Sequence, residues 1–105
     1  MEPNELISFQ IISAVGTARS YYIEAIQVAK TGDFKHADQL ISEGDEFFIE
    51  GHQAHFELIQ QEAGGDSLVM NLLLTHAEDQ LMSAEAFKII AKEFIDLYKT
   101  ILKEK

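Results

Sequence analysis

Only two glycine-bearing breaks interrupt this chain, Thr31-Gly32-Asp33 and Ala63-Gly64-Gly65-Asp66, and its one proline is Pro3. Glycine and proline are the strongest local punctuators of regular structure, so the segments between them are free to run as long helices. No stretch alternates apolar and polar residues between strand-type turns, and neither repeats nor low-complexity tracts occur. The spacing therefore predicts an all-α fold with helices over about 4–30, 34–62 and 67–103. Short connections join antiparallel neighbours, which makes an up–down–up three-helix bundle, one domain over residues 1–105.

Local signals set the ends. Pro3 precedes the helical pattern, and Asn4 reads as the first N-cap. Leu6, Ile7, Phe9, Ile11, Ile12, Val15, Ala18, Tyr22, Ala25, Ile26 and Ala29 form a broad stripe, with Ala14, Gly16 and Ala18 small enough for close helix approach. Gly32 reads as the residue after the first helix, Asp33 as the N-cap of the second. Gly44 and Gly51 fall inside the second helix and weaken it by about 1 kcal/mol each relative to alanine. Asp66 or Ser67 is expected to cap the third, and Lys99, Lys103 and Lys105 near its end suit the helix dipole.

The third segment carries two apolar stripes. One is Leu68, Leu72, Thr75, Asp79, Met82, Ala86 and Ile89. The other is Val69, Leu73, His76, Gln80, Ser83, Phe87, Ile90, Phe94, Leu97 and Ile101. Together they are wider than packing in one small bundle requires, so one side is expected to meet another subunit.

The formal net charge of the 105 residues is −10. Phosphate backbones call for a basic footprint, so nucleic acid is excluded as a partner, and an anionic membrane surface with it. No apolar run approaches the roughly 20 residues of a membrane span, and the N-terminus is not a signal peptide, which leaves the cytoplasm as the expected location. The chain has no cysteine. Thiolate zinc sites and cysteine nucleophiles are absent, and a metal would be held by oxygen or imidazole.

Within Leu72-Leu73-Leu74-Thr75-His76-Ala77-Glu78-Asp79-Gln80-Leu81-Met82, His76 and Asp79 lie one turn apart on adjoining parts of an apolar face, with Glu78 roughly opposite. A serine triad lacks its nucleophile elbow, and His-Ala-Glu-Asp-Gln lacks the second histidine of a zinc-protease helix. Di-iron bundles require repeated Glu-x-x-His pairs; the nearest approach, Asp33-Phe34-Lys35-His36, reads as helix capping. His52 and His55 have no third ligand and read as solvated or packing residues. What remains is covalent catalysis at imidazole, whose ordinary pKa of about 6.5 leaves much of it neutral and nucleophilic at cytoplasmic pH. With His76 about ten residues inside its helix, the helix dipole would not reach a phosphoryl group there. The competing readings are a non-catalytic helical adaptor, in which His76 is merely packed, and a histidine phosphotransfer domain. The latter favours lysine and then glycine a few residues beyond its histidine, where this chain has Asp79 and Gln80.

These residues resemble the lactose/cellobiose-type enzyme IIA of the bacterial sugar phosphotransferase system. Gly32-Asp33-Phe34, Leu58-Ile59-Gln60 and Glu62-Ala63-Gly64-Gly65 share the likeness; the stretch around His76 is its most specific part. The resemblance implies a homotrimer, a phosphohistidine at His76, and a divalent cation, magnesium in the cell, shared by Asp79 of three subunits around the axis. It implies HPr as phosphoryl donor and a cysteine of the cognate enzyme IIB as acceptor, during uptake of a β-linked disaccharide. Many relatives have Gln where Glu78 stands and His where Gln80 stands; Gln80 is a candidate contact to the phosphate or the interface.

Overall fold

The computed structural model describes residues 2–103 and contains three helices: α1 (Pro3–Ala29), α2 (Phe34–Ala63) and α3 (Leu72–Lys103). There is no strand among the described residues. The helices pack side by side into a body of 58 × 21 × 20 Å. Lys105 lies outside the described residues.

Pro3 is not a preface to α1 but its first residue, with Glu2 as N-cap. Proline suits that position because its missing N–H would be unpaired there anyway. Asn4, expected as the cap, is inside the helix, and its carbonyl accepts from Ser8 Oγ at 3.0 Å. The α1–α2 turn follows the sequence closely. Gly32 has φ 87°, a left-handed conformation that side chains with a Cβ rarely adopt. Asp33 then caps α2, accepting from the His36 N–H at 3.2 Å.

The start of α3 departs from expectation. Gly65, at φ 102°, turns the chain out of α2, and residues 66–71 run without regular structure. Asn71 is the cap rather than Asp66 or Ser67: its Oδ1 accepts from the Leu74 N–H at 2.8 Å, and its carbonyl accepts from Thr75 N at 2.9 Å. Leu68, expected on the helix, packs against the core from this connection instead.

Two apolar clusters hold the helices together. One gathers Ile11 and Val15 of α1, Ala54 and Leu58 of α2, and Leu74, Ala77, Leu81 and Ala84 of α3. The other gathers Ala18, Tyr22, Ala25 and Ala29 with Ala37, Leu40, Ile41, Ala91 and Ile95. Nearly half of these buried residues are alanine, which lets the helix backbones lie close. Gly51 is one such contact: a Cβ there would fall 2.5 Å from Val15 Cγ1, well inside van der Waals distance. Gly44, likewise, faces the Tyr22 ring and the Cβ of Tyr21. Gly16, by contrast, has nothing within 4 Å of an added Cβ and takes no part in helix approach.

Polar side chains span α2 and α3: His55 to Glu78 at 2.6 Å, Lys88 to Asp45 at 3.2 Å and Lys99 to Asp38 at 3.7 Å. Asp45 Oδ1 also accepts from the hydroxyl of buried Tyr22 at 2.6 Å. Burial, then the adjacent Asp45 carboxylate, pushes the Tyr22 hydroxyl far above its ordinary pKa, so it stays a donor.

Candidate functional site: the His76 face of α3

The core-facing stripe of α3 is Leu74, Ala77, Leu81, Ala84, Ala91 and Ile95. Neither stripe expected from the sequence is this one. Both turn away from the bundle axis, wholly or in part, and leave Leu72, Met82, Ile89, Ile90, Phe94, Leu97 and Ile101 exposed. The helix is apolar on its inner side and again on this outer side, with Glu78, Glu85, Lys92, Asp96 and Lys103 on a charged flank.

His76 stands on this outward surface, exposed, beside a shallow depression lined by Leu72 and Leu73. It is the fifth residue of α3, not one about ten residues in, because the helix begins at Leu72. Side chains on a helix lean toward its N-terminus, so the imidazole sits over the first turn, at the edge of the dipole's reach. Asn71, by fixing that turn, fixes the backbone that carries His76.

Asp79 is exposed on the same outer surface and has no partner among the described residues. It is not the buried carboxylate of a lone bundle. Gln80 is half-buried one turn beyond His76. Glu78 turns the other way, where its carboxylate meets His55 across the α2–α3 seam. That pair draws Glu78 away from His76, and it gives His55 a partner that the sequence reading missed. The available signal was a histidine and a glutamate on the facing sides of two consecutive helices. His52 lies tilted against the Phe48 ring, its centroid 6.2 Å away.

An oxygen-ligated cation would find one carboxylate here per chain. Among the described residues no three His, Cys, Asp or Glu side chains converge on a metal-sized site. Asp79 alone, exposed on an outer side of α3 that also bears exposed Leu72 and Met82, has the donor type that a hard divalent cation takes. The fit thus requires the same carboxylate from further copies.

The crystal structure of a cellobiose-specific enzyme IIA of the phosphotransferase system from Bacillus anthracis superposes with a TM-score of 0.97 at 43% identity, over 100% of this chain and 96% of that one. The fold and the His76 helix therefore define a IIA component of a sugar phosphotransferase system. Residues 6–99 match the family described as "PTS system, Lactose/Cellobiose specific IIA subunit", and the chain belongs to that family. It is 43% identical to the oligo-β-mannoside-specific EIIA component of Bacillus subtilis strain 168, over 92% of this chain and 88% of the relative. It is 37% identical to the lactose-specific EIIA component of Staphylococcus aureus, over 93% and 95%. IIA subunits are components of a phosphotransferase. No helix among the described residues is long and apolar enough to cross a membrane.

Proposed function

We propose that this chain, acting as one domain over residues 1–105, is the phosphocarrier of a transporter for a β-linked disaccharide of the lactose or cellobiose/chitobiose type. His76 receives a phosphoryl group from phospho-HPr and passes it to a cysteine of the cognate enzyme IIB. The observation that carries this reading is an exposed imidazole in an apolar setting, on a protein of the lactose/cellobiose IIA family. The relatives' specificities for lactose, cellobiose and oligo-β-mannosides support the sugar class.

The chemistry balances without an oxidant or reductant. The lone pair of a neutral His76 ring nitrogen attacks phosphorus, and the P–N bond to the donor imidazole breaks with its electron pair returning to that ring. The other His76 nitrogen releases its proton to solvent, and the donor ring regains one. In the second transfer the P–N bond at His76 breaks as a P–S bond forms on the acceptor thiolate; its electron pair returns to the His76 ring, which takes a proton from solvent. The shallow apolar depression lined by Leu72 and Leu73 supplies a surface from which a docked partner protein would exclude water.

Three copies arranged around α3 would cover its exposed apolar face, and each bundle runs up–down–up. The second point is supported by the two clusters, which take α1 residues in rising order and α2 residues in falling order. Asp79 of each copy would then hold a divalent cation, magnesium in the cytoplasm. When bound, the cation neutralises the three clustered carboxylates.

Incubation with enzyme I, HPr and phosphoenolpyruvate tests the reading. The expected product is an acid-labile, base-stable phosphate on His76, lost in a His76→Gln variant that keeps its helical content. A wild-type protein left unmodified beside an active donor overturns it.

A further inference from the structure

Residues 66–71 join α2 to α3 without regular structure, yet both ends of the segment are pinned. The Asp66 N–H donates to the Gln61 carbonyl at 3.1 Å, Leu68 packs against the core, and Asn71 caps α3. Between those anchors Val69 is 80% exposed and Met70 61%. Neither side chain contributes to holding the segment in place, and both turn apolar surface to water. Apolar residues displayed on a loop of a rigid scaffold mark a contact surface.

That surface is continuous with the His76 depression. Asn71 already lies in the helical turn, its carbonyl accepting from Thr75 N. Met70 Cα is therefore within about 13 Å of His76 Cα along the chain, and the imidazole leans toward that end. Leu72 and Leu73 line the depression beside His76, while Val69 lines a second cleft with Glu2 and Glu5 at the start of α1. The segment thus runs from an acidic cleft to the nucleophile.

The distribution of charge selects what covers it. Residues 2–18 and 50–87 meet at this end of the bundle, around Ile11, Leu58 and Leu74. They hold nine of the eighteen Asp and Glu residues and none of the eight Lys and Arg. The rest of the chain holds the other nine acids with all eight cations, so nearly the whole net charge of −10 belongs to the His76 end. A phosphoryl group is itself close to doubly negative. A donor protein carries such a group to this end favourably only behind a docking face of net positive charge. A second copy would set acidic rim against acidic rim; the copies proposed around α3 would meet along the helix, and Val69 and Met70 precede it.

We propose that Val69 and Met70 form the docking lip for the phosphoryl donor, a protein whose contact face is apolar at its centre and basic at its edge. The apolar pair seats the donor beside His76, and Glu2, Glu62 and Asp66 around the lip steer its approach. The inference rests on the phosphocarrier reading and adds to it the surface that the donor meets.

The test compares wild type with three variants: Val69→Ser with Met70→Ser; Glu2→Gln with Glu62→Gln and Asp66→Asn; and, at the opposite end, Glu24→Gln with Glu46→Gln. Rates of phosphorylation are measured against phospho-HPr concentration at low and high salt, alongside sedimentation and melting temperature. The apolar double variant is expected to raise KM for phospho-HPr about tenfold, the scale of one or two buried interface side chains. Its kcat, assembly state and melting temperature should stay those of wild type. The acidic-rim variant should lose about threefold or more in kcat/KM at low salt and converge with wild type at high salt, because rim charge acts on the rate of encounter. The opposite-end variant should follow wild type at both. An unchanged KM in the apolar variant overturns the proposal, as does a loss confined to kcat, which would make the lip a support for His76. Equal responses of the two charge variants overturn it too, since net charge would then act without a preferred face. So does a changed assembly state in the apolar variant, which assigns the lip to contacts between copies. Transfer onward to enzyme IIB is the last arm: a defect there with normal phosphorylation by HPr gives the lip to the acceptor and overturns the assignment. A wild-type protein that takes no phosphate on His76 removes the phosphocarrier reading and this inference together; a phosphorylated wild type with unaltered kinetics in every variant removes only the inference.

Discussion

At the scale of the residue, glycine placement separates packing from mere helix content. Gly51 is a helix-interior glycine that composition alone would count as a weakness. Its absent side chain instead lets α2 close on Val15 of α1. Gly51→Ala is expected to cost about 1–3 kcal/mol by overpacking, measured by chemical denaturation. Gly16→Ala meets nothing within 4 Å and should stabilise the helix by about 0.5–1 kcal/mol. Had the two glycines been equivalent, both changes would have the same sign. His76 and Asp79 were legible in the sequence as polar residues a turn apart on an apolar surface. Their exposure was not, because α3 carries apolar residues on two sides and periodicity alone does not say which side meets the bundle. The His55–Glu78 pair was legible only as two complementary side chains on consecutive helices; that they meet depends on the register between the helices, which no local pattern fixes.

At the scale of the element, the C-terminal end of α1 and both ends of α2 follow from turn chemistry that the sequence displays openly, whereas the start of α1 lies at Pro3 and not after Asn4. Asp33 caps as expected, and the break at Gly64-Gly65 ends α2. The beginning of α3 was misread by five residues, since Asp66, Ser67 and Asn71 are all competent caps and Leu68-Val69-Met70 looks like the opening of an apolar helix. The left-handed turn at Gly65 and the docking of Leu68 decide the matter, and both are tertiary. Asn71→Ala should cost about 1 kcal/mol through the lost cap. Hydrogen exchange should show the loosening confined to the first turn of α3, under His76, with the far end of the helix unchanged. Protection lost evenly along α3 would mean that Asn71 does more than cap.

At the scale of the whole molecule, the second apolar face of α3, turned away from the bundle, is the dominant fact. Leu72 is 85% exposed and Met82 66%, whereas the inward stripe alternates leucine with alanine. Contiguous apolar surface of this kind marks an interface, and the width of the apolar pattern was readable from sequence even though its direction was not. Sedimentation is expected to show a trimer, with little dissociation at high salt because the contact is apolar rather than ionic. Asp79→Leu should stay trimeric and melt at the same or a higher temperature, since apolar replacement of clustered buried charge is often favourable. If that variant instead falls apart even in saturating salt, the cation is required for assembly rather than merely accommodated by it.

If copies of this chain associate through the outward apolar face of α3, each gains folding free energy only when it meets others. Melting temperature should therefore climb with protein concentration, as mass action demands of any chain whose native state is completed by association. In a cell, copies made in excess of the carrier's needs would protect one another, while a poorly expressed locus would yield chains that proteases reach first.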